Sequence, residues 1–203
     1  MKFKIFALVV GLTLFSFNVA GQSSAAPASA PQPQAAPKTT QDVPAQVPVA
    51  KPEDVKSIDN ILAALYNVIS GPAGERDWNR FRSLFLPGAT LTSAGKDRDG
   101  IIRVRPRTVE GYVTGAGGYF SQHGFFESPI VSRVQAFGNV AQVFCSYESR
   151  GAAGEAPFAR GINSIQLAND GKRWWIVSIL WDEERPDNPL PKDFAAKSES
   201  NKN

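Results

Sequence analysis

Apolar residues recur along the chain with two periods, and the change of period divides it. Over 54–70, Val55, Ile58, Ile61, Leu62, Leu65, Val68 and Ile69 fall three and four apart in one stripe. That spacing predicts an amphipathic helix. Pro52-Glu53-Asp54 supplies its start, with acidic side chains at the positive helix end, and Gly71-Pro72 its stop. Tyr66 lies on the border of the stripe, beside Leu62 and Ile69. A shorter helix is predicted over 77–85, capped by Asp77 and presenting Trp78, Phe81, Leu84 and Phe85, with Pro87-Gly88 ending it. Brief strands at 89–94 and 101–104 flank a Gly/Asp turn that leaves Asp97 and Asp99 solvated. Thr108 caps a third helix to about residue 121, with Val109, Tyr112, Val113, Ala116 and Phe120 at helical spacing. Gly111, Gly115, Gly117 and Gly118 each cost that helix about 1 kcal/mol against alanine.

From Phe125 onward the pattern is that of strands. Segments 125–137 and 140–149 are joined by Gly138-Asn139, a two-residue hairpin signal. If that turn sets the register, Val134 opposes Val143, Ser132 opposes Cys145, and Ile130 opposes Tyr147. With Ala136 and Ala141 these make a core face on which no acidic residue falls. The other face carries Arg133, Gln135, Gln142 and Ser146, with Val131 and Phe144. After a loose connection, two apolar runs flank Asn169-Asp170-Gly171. The second, 174–181, is apolar at both parities, so it is expected to be buried on both faces, with helices on one side and a second subunit on the other. A two-residue Asp170-Gly171 turn and a three-residue turn from Asn169 are both open, and only the second brings Asn163 and Trp181 onto one face. Pro186, Pro189 and Pro191 end regular structure, and 187–203 reads as a polar tail.

The first residues follow another pattern. Lys2 and Lys4 precede an apolar run from Ile5 to Phe17 and the small exit Val19-Ala20-Gly21. That is the layout of a secretory signal peptide over 1–21, cleaved after Ala20 or Gly21. The run is shorter than the roughly 20 apolar residues of a membrane span, so no span is expected after cleavage; an uncleaved anchor is the alternative. No cysteine follows for lipidation. Residues 22–53, rich in Ala, Pro, Gln and Ser, are expected to form a disordered linker ahead of a domain at 54–186. The expected location is secreted or periplasmic.

The 203 residues carry a net charge of +3 with no basic cluster interleaved with aromatics, so no nucleic-acid partner is expected. In the densest basic stretch, Arg103, Arg105 and Arg107 alternate with Val104 and Pro106. It reads as a solvated strand edge guarded by charge, or else as a surface for an anion or acidic partner. The single cysteine, Cys145, lies in an apolar strand and reads as a small buried hydrophobe. No Cys/His spacing suits a metal, and no P-loop, dinucleotide fingerprint or G-x-S-x-G elbow is present, so neither metal nor cofactor is expected. His123, the only histidine, precedes Glu127 by four residues. The two could form a general-base pair. Alternatively, His123 answers the negative helix end while Glu127 pairs with Arg150.

The order of elements is α+β. The Tyr-bearing first helix, the segment Asp77-Trp78-Asn79-Arg80-Phe81 and the strand Asp170-Gly171-Lys172-Arg173-Trp174-Trp175-Ile176 resemble the NTF2-like superfamily. That cone-shaped fold is shared by nuclear transport factor 2, ketosteroid isomerases, scytalone dehydratase and the SnoaL polyketide cyclases. Over 54–184 the resemblance implies a curved antiparallel sheet with helices packed on its concave face, a pocket between them, and dimerisation through the opposite face. Isomerase-type members need a carboxylate base, a phenol and a second acid. Tyr66 occupies a position similar to the family's phenol, but no carboxylate aligns with it, so no catalytic residue is assigned. Ligand-binding candidates are Tyr66, Trp78, Tyr147, Asn163 and Trp181; each could equally be core. The expectation is an exported homodimer that binds a small apolar or amphipathic molecule without established catalysis. The alternatives are an isomerase, dehydratase or cyclase using general acid–base chemistry, and a dimeric protein-interaction module. Two ionisable groups within hydrogen-bond reach of one enclosed pocket would favour the enzyme, an apolar pocket with only Tyr and Asn the binding protein, and a collapsed interior the interaction module.

Overall fold

The computed structural model describes residues 47–195. The expected signal peptide, residues 22–46 of the expected linker, and 196–203 of the tail lie outside the described residues. The predicted first helix is split by Ser57, whose backbone is extended and whose hydroxyl accepts from the Asn60 N–H at 3.1 Å. Ser57 thereby caps α2 (Ile58–Ile69), preceded by the single turn of α1 (Pro52–Val55). Helix α3 (Trp78–Ser83) is capped by Asp77, as predicted. Arg80 on α3 reaches back to grip the buried Asp54 carboxylate with two bonds, at 2.7 and 2.8 Å. That guanidinium holds the Asp54 carboxyl below its ordinary range.

Phe85, predicted helical, opens strand β1 (Phe85–Lys96), which runs on through Pro87 and Gly88. The strand tolerates them because its pairing with the neighbour slips between Phe85 and Thr90, where Gly88 adopts φ +84°. Strand β2 (Ile102–Thr108), helix α4 (Val109–Phe120), and strands β3 (Phe126–Phe137), β4 (Val140–Arg150), β5 (Ala159–Asn169) and β6 (Trp174–Glu183) follow. The six strands form one sheet in the order β2-β1-β6-β5-β4-β3. The meander from β3 to β6 is antiparallel as expected, whereas β1 lies parallel to β6. Helices α2, α3 and α4 contribute Ile61, Leu65, Phe81 and Val113 to a core completed by Val143, Ile165 and Ile176 of the sheet. Each large side chain so buried contributes about 1.5–3 kcal/mol.

Two bulges correct the predicted registers. Along β3–β4 the pairs Ala136↔Ala141, Val134↔Val143 and Ser132↔Cys145 stand, but Tyr147 faces Pro129 rather than Ile130. One extra residue is accommodated between Pro129 and Ser132, and the Val131 N–H left over donates to the buried Ser146 hydroxyl at 3.2 Å. Before the bulge every β3 residue changes face, so Glu127 stands on the core side, opposite Ser149. The expectation that no acid reaches that face is overturned. At the β5–β6 hairpin neither predicted turn forms. Asn169 pairs with Trp174 around a four-residue loop, in which Asp170 accepts from the Lys172 and Arg173 N–H groups and from Trp175 Nε1. A bulge at Val177 then brings Asn163 opposite Trp181.

The run 174–181 is not buried on both faces within one chain. Ile176 and Ile179 are buried inward, while Leu180 is 46% exposed on the outer face. That face is covered in part by residues assigned to the polar tail. Helix α5 (Lys192–Ala195) sets Phe194 edge-on against Phe144 at 5.4 Å, with Arg133 over its ring and bonded to Asp193 at 3.1 Å. Lys96 pairs with Asp187, and Arg185 with Asp182.

Candidate ligand site

Between the concave sheet face and helices α2 and α4 lies a cavity of about 410 Å³. Leu65 and Ile69 of α2, Tyr112, Ala116 and Phe120 of α4, and Leu91, Ile179 and Trp181 of the sheet form its apolar walls. Its polar groups are the side chains of Glu127, Glu183, Arg107, Ser149 and Asn163 and the hydroxyls of Tyr112, Tyr119 and Tyr147. Apolar walls with a few convergent polar groups are the usual make-up of a small-molecule site.

Glu127 is held from both sides. Its N–H donates to the Ser70 hydroxyl at 3.0 Å, which in turn donates to the Tyr66 carbonyl at 2.7 Å, fastening the start of β3 to the end of α2. Gly71 and Phe125 exchange backbone bonds of 2.7 and 2.9 Å beside it. Its carboxylate accepts from the Ser149 hydroxyl at 3.0 Å. Enclosure by protein pushes this carboxyl up to about 7. The Ser149 hydroxyl and the Asn163 amide pull the other way, and the Glu183 charge pushes it further up. Near neutrality the group is therefore divided between an acid that donates and a carboxylate that accepts.

Behind Glu127 runs a second polar chain. Asn163 Nδ2 donates to the Tyr66 hydroxyl at 3.2 Å, and that hydroxyl lies 3.2 Å from Cys145 Sγ. Burial pushes the Tyr66 phenol well up, and the Cys145 thiol up to about 11. Both stay protonated at neutral pH, so Cys145 is the inert buried residue expected of it. Burial likewise raises the phenols of Tyr112 and Tyr147, with the Glu127 charge adding to the effect on each. Tyr147 owes its position to Gly161 across the strand, where an added Cβ would come within 2.6 Å of its hydroxyl.

Of the five residues singled out by sequence, Tyr147, Asn163 and Trp181 line the cavity. Tyr66 does not. It stands behind Asn163 and borders a separate groove of about 830 Å³ between α2 and the start of β3. Trp78 does not line the cavity either; it backs the wall, stacked on Phe120 at 6.1 Å and edge-on to Phe81 at 5.7 Å. His123 is exposed, its Nδ1 3.0 Å from the Tyr119 carbonyl and its ring stacked on Tyr119 at 4.5 Å. The His123–Glu127 pair is absent, as is the Glu127–Arg150 pair, for Arg150 bonds Glu148 at 2.7 Å. Glu127, weighed from sequence only as a partner of His123 or Arg150, and Arg107, weighed only within the basic stretch, both line the cavity, together with Ser149, Tyr112 and Glu183, which the sequence did not single out as site residues. The signal for Glu127 was Pro129, which cannot donate to a ladder and marks an edge or bulge. Among the described residues no three of His, Cys, Asp and Glu are grouped to hold a metal, and no helix is long and apolar enough to cross a membrane.

No protein-family model and no curated protein matches the chain. Among solved structures it is similar to a protein of unknown function with a cystatin-like fold from Nostoc punctiforme, at 11% identity and a TM-score of 0.49, over 66% of this chain and 92% of that one. It is also similar to an NTF2-like protein of unknown function from Pseudomonas putida, at 11% identity and 0.48, over 62% and 82%. A third, a candidate ketosteroid isomerase from Shewanella frigidimarina, gives 13% and 0.42, over 60% and 91%. By its element order, the strand order of its curved sheet and the helices on the concave face, the chain has an NTF2-like fold.

Proposed function

We propose that the chain is an exported NTF2-like binding protein whose cone takes one small, largely apolar molecule, with a hydrogen-bonding group of that molecule meeting Glu127. The observation that carries this reading is the Glu127 carboxyl, pushed up to about 7, on the wall of a largely apolar cavity of about 410 Å³. Tyr147, Asn163 and Trp181 are the proposed companions of Glu127. A ketone suits the protonated form and an alcohol or phenol the ionised form. The test is a titration of the full chain with Prodan, a fluorescent naphthyl ketone whose emission moves to the blue in apolar surroundings. A saturable blue shift is expected, tighter at about pH 6 than at about pH 8, with the pH dependence lost in Glu127→Gln. Absence of a saturable shift overturns the reading.

A second reading, proton transfer on a bound carbonyl compound, is favoured by two carboxyls, Glu127 and Glu183, and the protonated phenols of Tyr112 and Tyr147 on one cavity. A carboxylate base and phenolic donors to a developing oxyanion are what such chemistry requires. Proton NMR of Prodan in heavy water tests it. Accelerated deuteration of the methylene beside its carbonyl, lost in Glu127→Gln, supports the enzyme; an unchanged rate excludes it for this ketone.

Export is proposed on the charged, apolar and small segments of 1–21; the N-terminal sequence of protein recovered outside the cytoplasm tests it. Pairing of two copies through the outer sheet face is proposed on the exposed Val104, Val140 and Leu180.

A further inference from the structure

We infer that the molecule bound in the cone carries an anionic oxygen group, and that Arg107 on β2 is the residue that receives it. The inference rests on the cone being a ligand site. Strand β2 is an edge strand with a strict alternation of Ile102, Val104 and Pro106 against Arg103, Arg105 and Arg107. On an ordinary half-buried strand the apolar set faces the core. Here the register does the reverse. Arg107 pairs with Leu91 and Arg105 with Ser93. Leu91 is buried in the core, and Ser93 pairs in turn with Trp181 on the cavity wall. The arginines therefore share the cavity's face, while Ile102 and Val104 are turned to the outer face, 58% and 65% exposed.

The three arginines are not equivalent. Arg103 is neutralised by Asp97 at 2.5 Å, and the Arg105 charge also bears on Asp97. Arg107 lines the cavity itself, and among the described residues no carboxylate lies within bonding reach of it. Its charge acts on the neighbouring Tyr112 hydroxyl, opposing the effect of burial there. Glu183 also lines the cavity but does not cancel Arg107. It stands opposite Gly161, whereas Arg107 stands in the row of Leu91 and Ile179. Two strands and four residues of separation amount to on the order of 15 Å. The acidic groups Glu127 and Glu183 thus occupy one side of the cavity and the unpaired guanidinium another. A planar guanidinium with five donors matches a carboxylate, sulfate or phosphate by paired bonds. A molecule with an anionic end at Arg107, an apolar body and a hydrogen-bonding group at Glu127 complements the two ends and the apolar walls together.

Inward-pointing charge can also protect a sheet edge from pairing with another chain. That role requires only charge and predicts no discrimination between ligands, so the two are separable. The experiment is calorimetric titration of the full chain with naphthylacetate and with naphthylethanol, which share an apolar body and differ in charge. The acid is expected to bind about tenfold tighter than the alcohol. That ratio should fall to about one in Arg107→Gln, and Arg107→Lys should restore part of it. An acid that binds no better than the alcohol, or a ratio that survives in Arg107→Gln, overturns the inference while leaving the cone as a binding site. Failure of both compounds to bind overturns the inference and the binding reading together.

Discussion

Glu127 stands directly across the β3–β4 ladder from Ser149, whose hydroxyl donates to its Oε2 at 3.0 Å. Enclosure raises this carboxyl from an ordinary 4.5 to about 7, so the folded chain holds the proton more tightly than the unfolded one. The stabilisation is complete below about pH 4.5 and is lost as pH rises through about 7. Shifts of this kind are worth about 1–3 kcal/mol. We expect Glu127→Gln, which keeps a side-chain oxygen for Ser149, to lose this part of the pH dependence. It should exceed the parent in stability at about pH 8 by a similar amount. Urea unfolding of both proteins between about pH 5 and pH 8 checks this, and parallel pH profiles would refute it.

Gly161 and Tyr147 make a second such pair. A Cβ at position 161 would meet the Tyr147 hydroxyl at 2.6 Å and its ring carbon at 2.8 Å, and would press on the Asp182 carbonyl. Gly161→Ala should therefore cost about 1–3 kcal/mol, as overpacking does. Because Tyr147 lines the cavity, the same change should also weaken Prodan binding. A variant with parental stability and affinity would mean that the ring moves aside without loss.

Tyr66 offers the opposite combination. Its hydroxyl accepts from Asn163 and touches Cys145, yet it does not reach the cavity. Tyr66→Phe leaves a buried amide hydrogen without its partner, which costs about 1–3 kcal/mol. Prodan affinity should change by less than about threefold, since Asn163 stays between position 66 and the ligand. A large loss of affinity with unchanged stability would instead make Tyr66 a ligand contact.

Most of the helices and the β3–β4 hairpin were legible in the sequence because each rests on local signals: the stripe of Ile61, Leu65 and Val68, the caps Asp77 and Thr108, and the Gly138-Asn139 turn. Trp181 and Asn163 were singled out as apolar and polar members of one hairpin, but they face each other through the bulge at Val177 and not through either predicted turn. The face of Glu127 was not legible, because it depends on one inserted residue near Pro129, and a bulge inverts everything before it. The face of Arg107 was equally hidden. It is set by pairing with Leu91, sixteen residues earlier, across a turn whose length leaves the register open. Both charged groups thus owe their position to strand register, which hydrophobic period alone does not determine.

The outer sheet face supplies a last test. Phe194 and the Arg133–Asp193 pair occupy the part over β3 and β4, which leaves Leu180 on β6 and Val104 on β2 open, 46% and 65% exposed. If two copies pair through this face, their contact centres on these two residues. Each carries a long-stemmed replacement easily, because a lysine stem can lie along the apolar surface with its charge in water. Leu180→Lys combined with Val104→Lys should therefore change folding stability by less than about 1 kcal/mol. Burying four added charges between two copies is far more costly, so the same variant should be monomeric. Sedimentation equilibrium decides the matter: the parent chain is expected at twice its monomer mass and the variant at once. A monomeric parent would refute pairing through this face, and a variant that stays dimeric would move the contact elsewhere on the molecule.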